Sequence, residues 1–261
     1  MKLQKYLSQA GVCSRRKAEE YIERWVVFVN DEKAHIGQII DPAVDKVRVG
    51  DEVVKEQENL VYYVFNKPRG IVTTCLSGDP EEKGILDIVD IPERVFPVGR
   101  LDKETNGLII LTNDGRLSNY LIHPRYEHEK EYLVEVYGKI EDEALEQMRK
   151  WVRIELKENG SRKRNVNKNA SGKEEMKTYK TRPCEITRLS SSKFSIVLRE
   201  GKNRQIRRMV EVVGSDIKKL KRVRVENILL GDLEDGAYRK FTRAEKEELF
   251  EGIGITKEEK I

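Results

Sequence analysis

The 261 residues, 38% hydrophobic and 37% charged, are enough for one to three domains whose cores need neither disulfide nor metal, which excludes a small cross-linked scaffold. Fifty Lys and Arg against forty-six Asp and Glu leave a formal charge of only +4, so the mean charge selects no partner and the distribution must. No apolar run nears the roughly 20 residues that span a bilayer. The start, Met1-Lys2-Leu3-Gln4-Lys5-Tyr6, lacks a signal peptide's apolar core, so a cytoplasmic chain without a membrane partner is expected.

In chain order, Leu3, Tyr6, Leu7 and Ala10 fall at i, i+3, i+4 and i+7, a short amphipathic helix that Gly11 closes. Ser14 is a suitable N-cap for a second helix over residues 15–25, with Ala18, Tyr21, Ile22 and Trp25 as its apolar stripe. Its first turn carries Arg15, Arg16 and Lys17, the wrong sign for the positive end of a helix dipole; a bound phosphate would compensate. Residues 27–31 and 46–51 read as short strands and turns.

Residues 55–60 are polar and patternless, which sets a boundary between a domain over 1–58 and a larger one over 59–255. In the larger domain, strands are expected at 60–65, 96–98, 107–112, 131–136, 153–156, 184–189 and 194–198. Helices are expected at 117–121, 142–151, 205–213 and 243–250. Strands outnumber helices without regular β-α-β alternation, so the fold class is α+β on a mixed, mainly antiparallel sheet with flanking helices. Residues 157–180, basic and nearly without apolar side chains, read as a flexible insertion. Residues 199–224 hold ten basic side chains against Glu200, Glu211 and Asp216, a second basic surface suited to a polyanion.

Phosphate-cradling, dinucleotide and hydrolase-elbow glycine motifs are absent from the sequence. Cys13, Cys75 and Cys184 are odd in number and far apart, and with His35, His123 and His128 they form no metal signature, so free thiols and no metal are expected. The chemistry concentrates in two segments. Val98-Gly99-Arg100-Leu101-Asp102-Lys103-Glu104-Thr105-Asn106-Gly107 is a polar turn between apolar strands, with Asp102 among cations that would keep it ionised as nucleophile or base. A plain surface turn, cornered at Asn106-Gly107, is the competing reading. Glu200-Gly201-Lys202-Asn203-Arg204-Gln205-Ile206-Arg207-Arg208-Met209 runs from strand into helix. Ile206, Met209, Val210 and Val213 form the buried stripe and Arg207 the flank, where it could partner a carboxylate; an ordinary basic helix face competes.

These residues carry a resemblance. The helix pair followed by short strands resembles an S4-type RNA-binding domain. The segment from Val98 to Leu108, Lys130-Glu131-Tyr132-Leu133-Val134 and the segment from Glu200 to Met209 resemble the three catalytic motifs of the RsuA-type ribosomal RNA pseudouridine synthases. Within that family, Val27-Phe28-Val29-Asn30, residues 94–103, residues 128–134 and Lys218-Lys219-Leu220 are most similar to the large-subunit synthase F branch. The S4 turns usually hold glycine where this chain has Trp25 and Asp31.

The resemblance implies isomerisation of a uridine to pseudouridine without any cofactor. The N1–C1′ bond breaks, the uracil turns, and C5 joins C1′. It implies Asp102 as the catalytic carboxylate, Tyr132 stacked on the everted uracil, and Arg207 as the basic partner of Asp102. Arg100 would contact the everted nucleotide or fill the space it leaves, while Arg15, Arg16, Lys17, Lys202, Asn203, Arg204, Gln205 and Arg208 would contact RNA. The expected partner is a ribosomal RNA hairpin, with a transfer RNA anticodon stem-loop as a second candidate, bound by a monomer. The alternative is a non-catalytic S4-domain RNA-binding or ribosome assembly factor, which would have no need of Asp102, Tyr132 and Arg207 together.

Overall fold

The computed structural model describes residues 1–55, 59–75, 81–156 and 177–252. At the N-terminus, α1 (Leu3–Gln9) and α2 (Arg15–Glu23) share a core with an antiparallel sheet of β1 (Val27–Val29), β2 (Glu32–Lys33), β3 (Val47–Val49) and β4 (Glu52–Val53), ordered β2-β1-β3-β4. Leu3, Leu7, Ala18, Ile22, Val27 and Val47 are its buried members, and the Ser14 hydroxyl caps α2 by accepting from the Lys17 N–H at 3.2 Å. The stripe of α2 is shorter than expected. Trp25 lies beyond the helix at φ 59°, 57% exposed, with the Lys33 ammonium 5.6 Å from its ring centre. Asp31 has φ 67°, so both positions take the left-handed conformation that glycine adopts without strain.

The rest of the chain forms β5 (Tyr62–Lys67), β6 (Phe96–Val98), β7 (Asn106–Thr112), α3 (Gly115–Ile122), β8 (Lys130–Val136), α4 (Asp142–Lys150), β9 (Arg153–Leu156), β10 (Lys177–Lys180), β11 (Glu185–Arg188), β12 (Lys193–Leu198), α5 (Gln205–Val212), β13 (Ile217–Val225), β14 (Ile228–Leu229), β15 (Tyr238–Lys240) and α6 (Arg243–Glu251). The main sheet runs β11-β12-β8-β13-β7-β5-β15. Its pairings are antiparallel except for β13 with β7, which is parallel, so the sheet is mixed as its sequence pattern implies.

Alternation along the central strands explains why both faces are covered. In β7, Leu108 and Ile110 enter one core with α3 and α6, while Ile109 and Leu111 enter another with Phe65, Ile85 and Val95. A third core joins Val134, Phe194 and Ile196 to Met148 of α4 and Met209 of α5. Each such side chain contributes about 1.5–3 kcal/mol by leaving water.

One expectation needs correction. Residues 157–176 of the anticipated insertion lie outside the described residues, but Lys177–Lys180 form a strand that pairs with Arg153–Leu156. Asn106 and Gly107 begin β7, where Arg222 of β13 pairs with Gly107, so the competing reading of them as the corner of a surface turn falls. Residues 56–58 of the expected domain boundary also lie outside the described residues; across it, Arg94 donates to the Cys13 carbonyl at 3.0 Å. Among the described residues no helix is long and apolar enough to cross a membrane.

Candidate active site

Asp102 owes its position to the residue before it. Leu101 is buried, and Thr73 clamps its backbone from both sides: the hydroxyl donates to the Leu101 carbonyl at 2.6 Å and accepts from its N–H at 3.1 Å. The Asp102 carbonyl accepts from the Thr105 N–H at 3.0 Å and closes the turn. The side chain, 32% exposed, is left facing a cleft of about 530 Å³.

Two distant segments reach the same cleft. Tyr132, in the middle of β8, lies opposite Ile196 of β12 and Arg222 of β13 and packs at the seam between two cores. Arg207 sits on the flank of α5, whose Ile206, Met209 and Val210 are buried. Its Nη2 donates to the Glu104 carbonyl at 3.0 Å and to the Thr105 hydroxyl at 3.3 Å, while its buried Nε finds no partner. Arg207 therefore braces the backbone of the Asp102 turn. Burial and the like charge of Arg204 push its guanidinium below its ordinary range, with Asp102 and Glu104 pulling the other way.

The cation nearest the carboxylate is not the expected one. Arg204 Nη1 stands 3.9 Å from Asp102 Oδ2, and Arg204 takes a left-handed φ of 53° at the N-cap of α5. Arg100, Lys202 and Asn203 are exposed at the rim of the same cleft.

Of the other expected RNA contacts, Gln205 lines the cleft but is buried, its amide donating to Glu200 Oε1 at 2.6 Å and accepting from the Lys202 N–H at 3.0 Å, so it braces the loop at the cleft wall. Arg208 turns away from the cleft to Asn203 Oδ1, at 3.1 Å, and to the Glu155 carbonyl. Arg15 and Arg16 are exposed on α2, outside the cleft, and Lys17 is paired with Glu20 at 2.9 Å, so the helix itself meets part of the charge assigned to a phosphate. The basic run of β13 is likewise laced with carboxylates. Lys218 pairs with Glu135 at 2.8 Å, and Arg224 with Glu129 and Glu131 at 3.1 and 3.0 Å.

The sequence places Arg222 only in the basic cluster of residues 199–224, expected to hold RNA phosphates, and Lys130 only in the Lys-x-Tyr motif, with Lys67 in neither. Arg222 is 4% exposed, lines the cleft, and donates from Nε to the Leu108 carbonyl at 2.7 Å. Lys130 lines the cleft two residues before Tyr132. Lys67 is fully buried, donating to the Pro68 and Ile71 carbonyls at 2.8 and 2.6 Å; burial lowers it to about 8 against the opposing pull of Asp102 and Glu104. The signal for Lys130 was its place in the Lys-x-Tyr motif, since residues i and i+2 of a strand share a face. Nothing in the local sequence marks Lys67 or Arg222 as buried.

A partly exposed carboxylate that shares a cleft with an aromatic ring and fixed guanidinium groups, rimmed by cations on a mixed sheet, suits an enzyme that works on one nucleotide of a polyanion. Comparison with known proteins makes this specific. Residues 61–212 match the family model described as RNA pseudouridylate synthase. The chain is 40% identical over 255 residues to the dual-specificity RNA pseudouridine synthase RluF of Escherichia coli O6:H1, covering 97% of this chain and 79% of that one. It is 36% identical over 259 residues to a protein of Aquifex aeolicus described as an uncharacterized RNA pseudouridine synthase, covering 98% and 96%. A crystal structure of a pseudouridylate synthase superposes with a TM-score of 0.64 at 25% identity, covering 95% of this chain and 99% of that one.

The chain belongs to the RNA pseudouridylate synthase family. Its RsuA-type motifs place it near the F-type enzymes of that family.

Proposed function

We propose that this protein converts a uridine in a hairpin loop of large-subunit ribosomal RNA to pseudouridine in the cytoplasm, acting as a monomer. Residues 1–58 serve as an S4-type RNA-binding domain and 59–255 as the catalytic domain. The observation that carries this reading is that Asp102, Tyr132 and Arg207, from three segments far apart in sequence, line one cleft wide enough for a nucleotide.

A base inside a helix cannot reach Asp102, so the target uridine must leave its stack, at a cost of a few kcal/mol that is smallest in loops. The uracil then stacks on Tyr132. The Asp102 carboxylate attacks the base or the sugar and bonds to it transiently, the N1–C1′ bond breaks and the ring turns. C5 then bonds to C1′, the bond to Asp102 breaks, and the proton that C5 loses is balanced by one gained at N1. Arg207 holds the Asp102 turn by its backbone, so the carboxylate meets the nucleotide without first reorganising. Arg100, Lys202, Asn203 and Arg204 at the rim engage the flanking phosphates, with Arg15, Arg16 and Lys17 extending the contact along the RNA. A scaffold that only bound RNA would have no use for a carboxylate facing the cleft, since it repels phosphate.

The test is to map pseudouridines in ribosomal RNA from cells with and without this gene by carbodiimide treatment and primer extension. One large-subunit stop should vanish on deletion and return with the gene. An unchanged pattern would contradict the proposal, and a lost site in transfer RNA alone would redirect it.

A further inference from the structure

Lys130 begins β8 two residues before Tyr132, so strand alternation sets both side chains on one face, and both line the cleft. Its cross-strand neighbours are Leu198 and Val225, which are 4% and 5% exposed, so the ammonium stands between apolar walls. One of its three N–H donors is engaged, with the His128 carbonyl at 3.0 Å.

The charges that face it are fixed elsewhere. Arg222, on β13, is tied through Nε to Leu108. Glu226, just past β13 at φ 51°, accepts from the Glu129 N–H at 2.6 Å and meets His128 Nδ1 at 3.0 Å. Asp102, on the turn before β7, and Lys130, at the start of β8, line the same cleft from different elements. A uracil stacked on Tyr132 would share this cleft with both.

The geometry points to Lys130 as a further catalytic residue, whose ammonium donates to a uracil oxygen and stabilises the negative charge the ring takes up as the N1–C1′ bond breaks. The electron pair of that bond passes into the ring and spreads over N1, O2 and O4. When C5 bonds to C1′ the pair leaves the ring, and the proton lost from C5 is balanced by one gained at N1. Lys130 keeps its protons throughout. A preorganised donor at a developing anion, in a site poor in water, is worth about 10²–10³ in rate.

This inference rests on the pseudouridine reading, and single-turnover kinetics separate the two. With a transcript of the ribosomal hairpin that the wild type modifies, Lys130→Met should bind RNA within about threefold of wild type and react about 100-fold more slowly. Burial and Arg222 bring Lys130 down to about 8, so the wild-type rate should fall as pH rises through that value. Lys130→Arg, which stays charged, should lose this alkaline limb. A Lys130→Met rate within fivefold of wild type, a loss confined to RNA affinity, or the same limb in Lys130→Arg would each overturn the assignment. If Lys130→Met fails to fold, the limb in Lys130→Arg decides alone. A wild type that forms no pseudouridine defeats the underlying reading instead.

Discussion

Gly107 and Arg222 lie so close across the parallel pairing of β7 and β13 that a Cβ on Gly107 would sit 2.2 Å from the Arg222 carbonyl oxygen. Gly107 also has φ +108°, where side chains are strained whatever the space. This contact joins the two halves of the main sheet and sets Arg222 at the edge of the cleft. Gly107→Ala should therefore destabilise the protein by on the order of 3 kcal/mol, from backbone strain and overpacking together. Urea unfolding of the variant measures it, and a change under 1 kcal/mol would show that the strands separate easily.

Arg204 and Arg207 should respond differently to removal. Arg207→Met takes away the brace on the Glu104 carbonyl and the Thr105 hydroxyl, so the single-turnover rate should fall at least tenfold with little change in RNA affinity. Arg204→Met leaves that brace intact and removes an exposed cation from the rim, so affinity should fall and the slope of log K against log salt should flatten by about 1. Filter binding across a salt series, run beside single-turnover assays, distinguishes the two; a common phenotype would mean that both act directly on Asp102.

Arg15, Arg16 and Lys17 lie outside the catalytic cleft. Replacing all three by alanine should weaken binding of a long hairpin and reduce its salt dependence, while the rate at saturating RNA holds. An unchanged salt slope would remove the N-terminal helix from the RNA-facing surface.

Lys67 predicts a pH effect on stability. Its value in the folded protein is lowered from 10.5 to about 8, so between these limits the unfolded chain binds a proton that the folded chain does not. Stability therefore rises with pH over that window, by up to about 3 kcal/mol from this residue. Lys130, lowered to about 8 by burial, acts in the same direction. Urea unfolding at pH 7 and 9.5 should show a larger gain for wild type than for Lys67→Met. Equal gains would mean that the Lys67 amine is as well solvated as an ordinary lysine.

The legible parts of this fold were those whose burial follows a single period. Leu108 to Leu111 announced a strand covered on both faces, and Ile206, Met209 and Val210 announced the buried side of α5. The strand Ile217–Val225 read instead as a charged cluster. Its pairing with β8 slips between Ile217 and Lys219 and again between Arg222 and Arg224, which breaks the alternation of two, and its Lys218 and Arg224 are matched by carboxylates on β8 and just before it. Trp25 fitted a helical stripe by spacing, yet the helix ends before it.

At the site, Asp102, Tyr132 and Arg207 stood out because each lies in a motif. The division of labour between Arg204 near the carboxylate and Arg207 on the backbone depends on a left-handed residue at the start of α5, which composition and periodicity do not register.

The most direct test of the account is single-turnover conversion of the ribosomal hairpin by Asp102→Asn, read by carbodiimide primer extension, with RNA binding measured on the same preparation. Asparagine keeps the size of the side chain and removes the nucleophilic charge, so binding should stay within a few-fold of wild type while no pseudouridine forms. Pseudouridine formed at a rate near that of wild type would contradict the assignment of the reaction to this carboxylate.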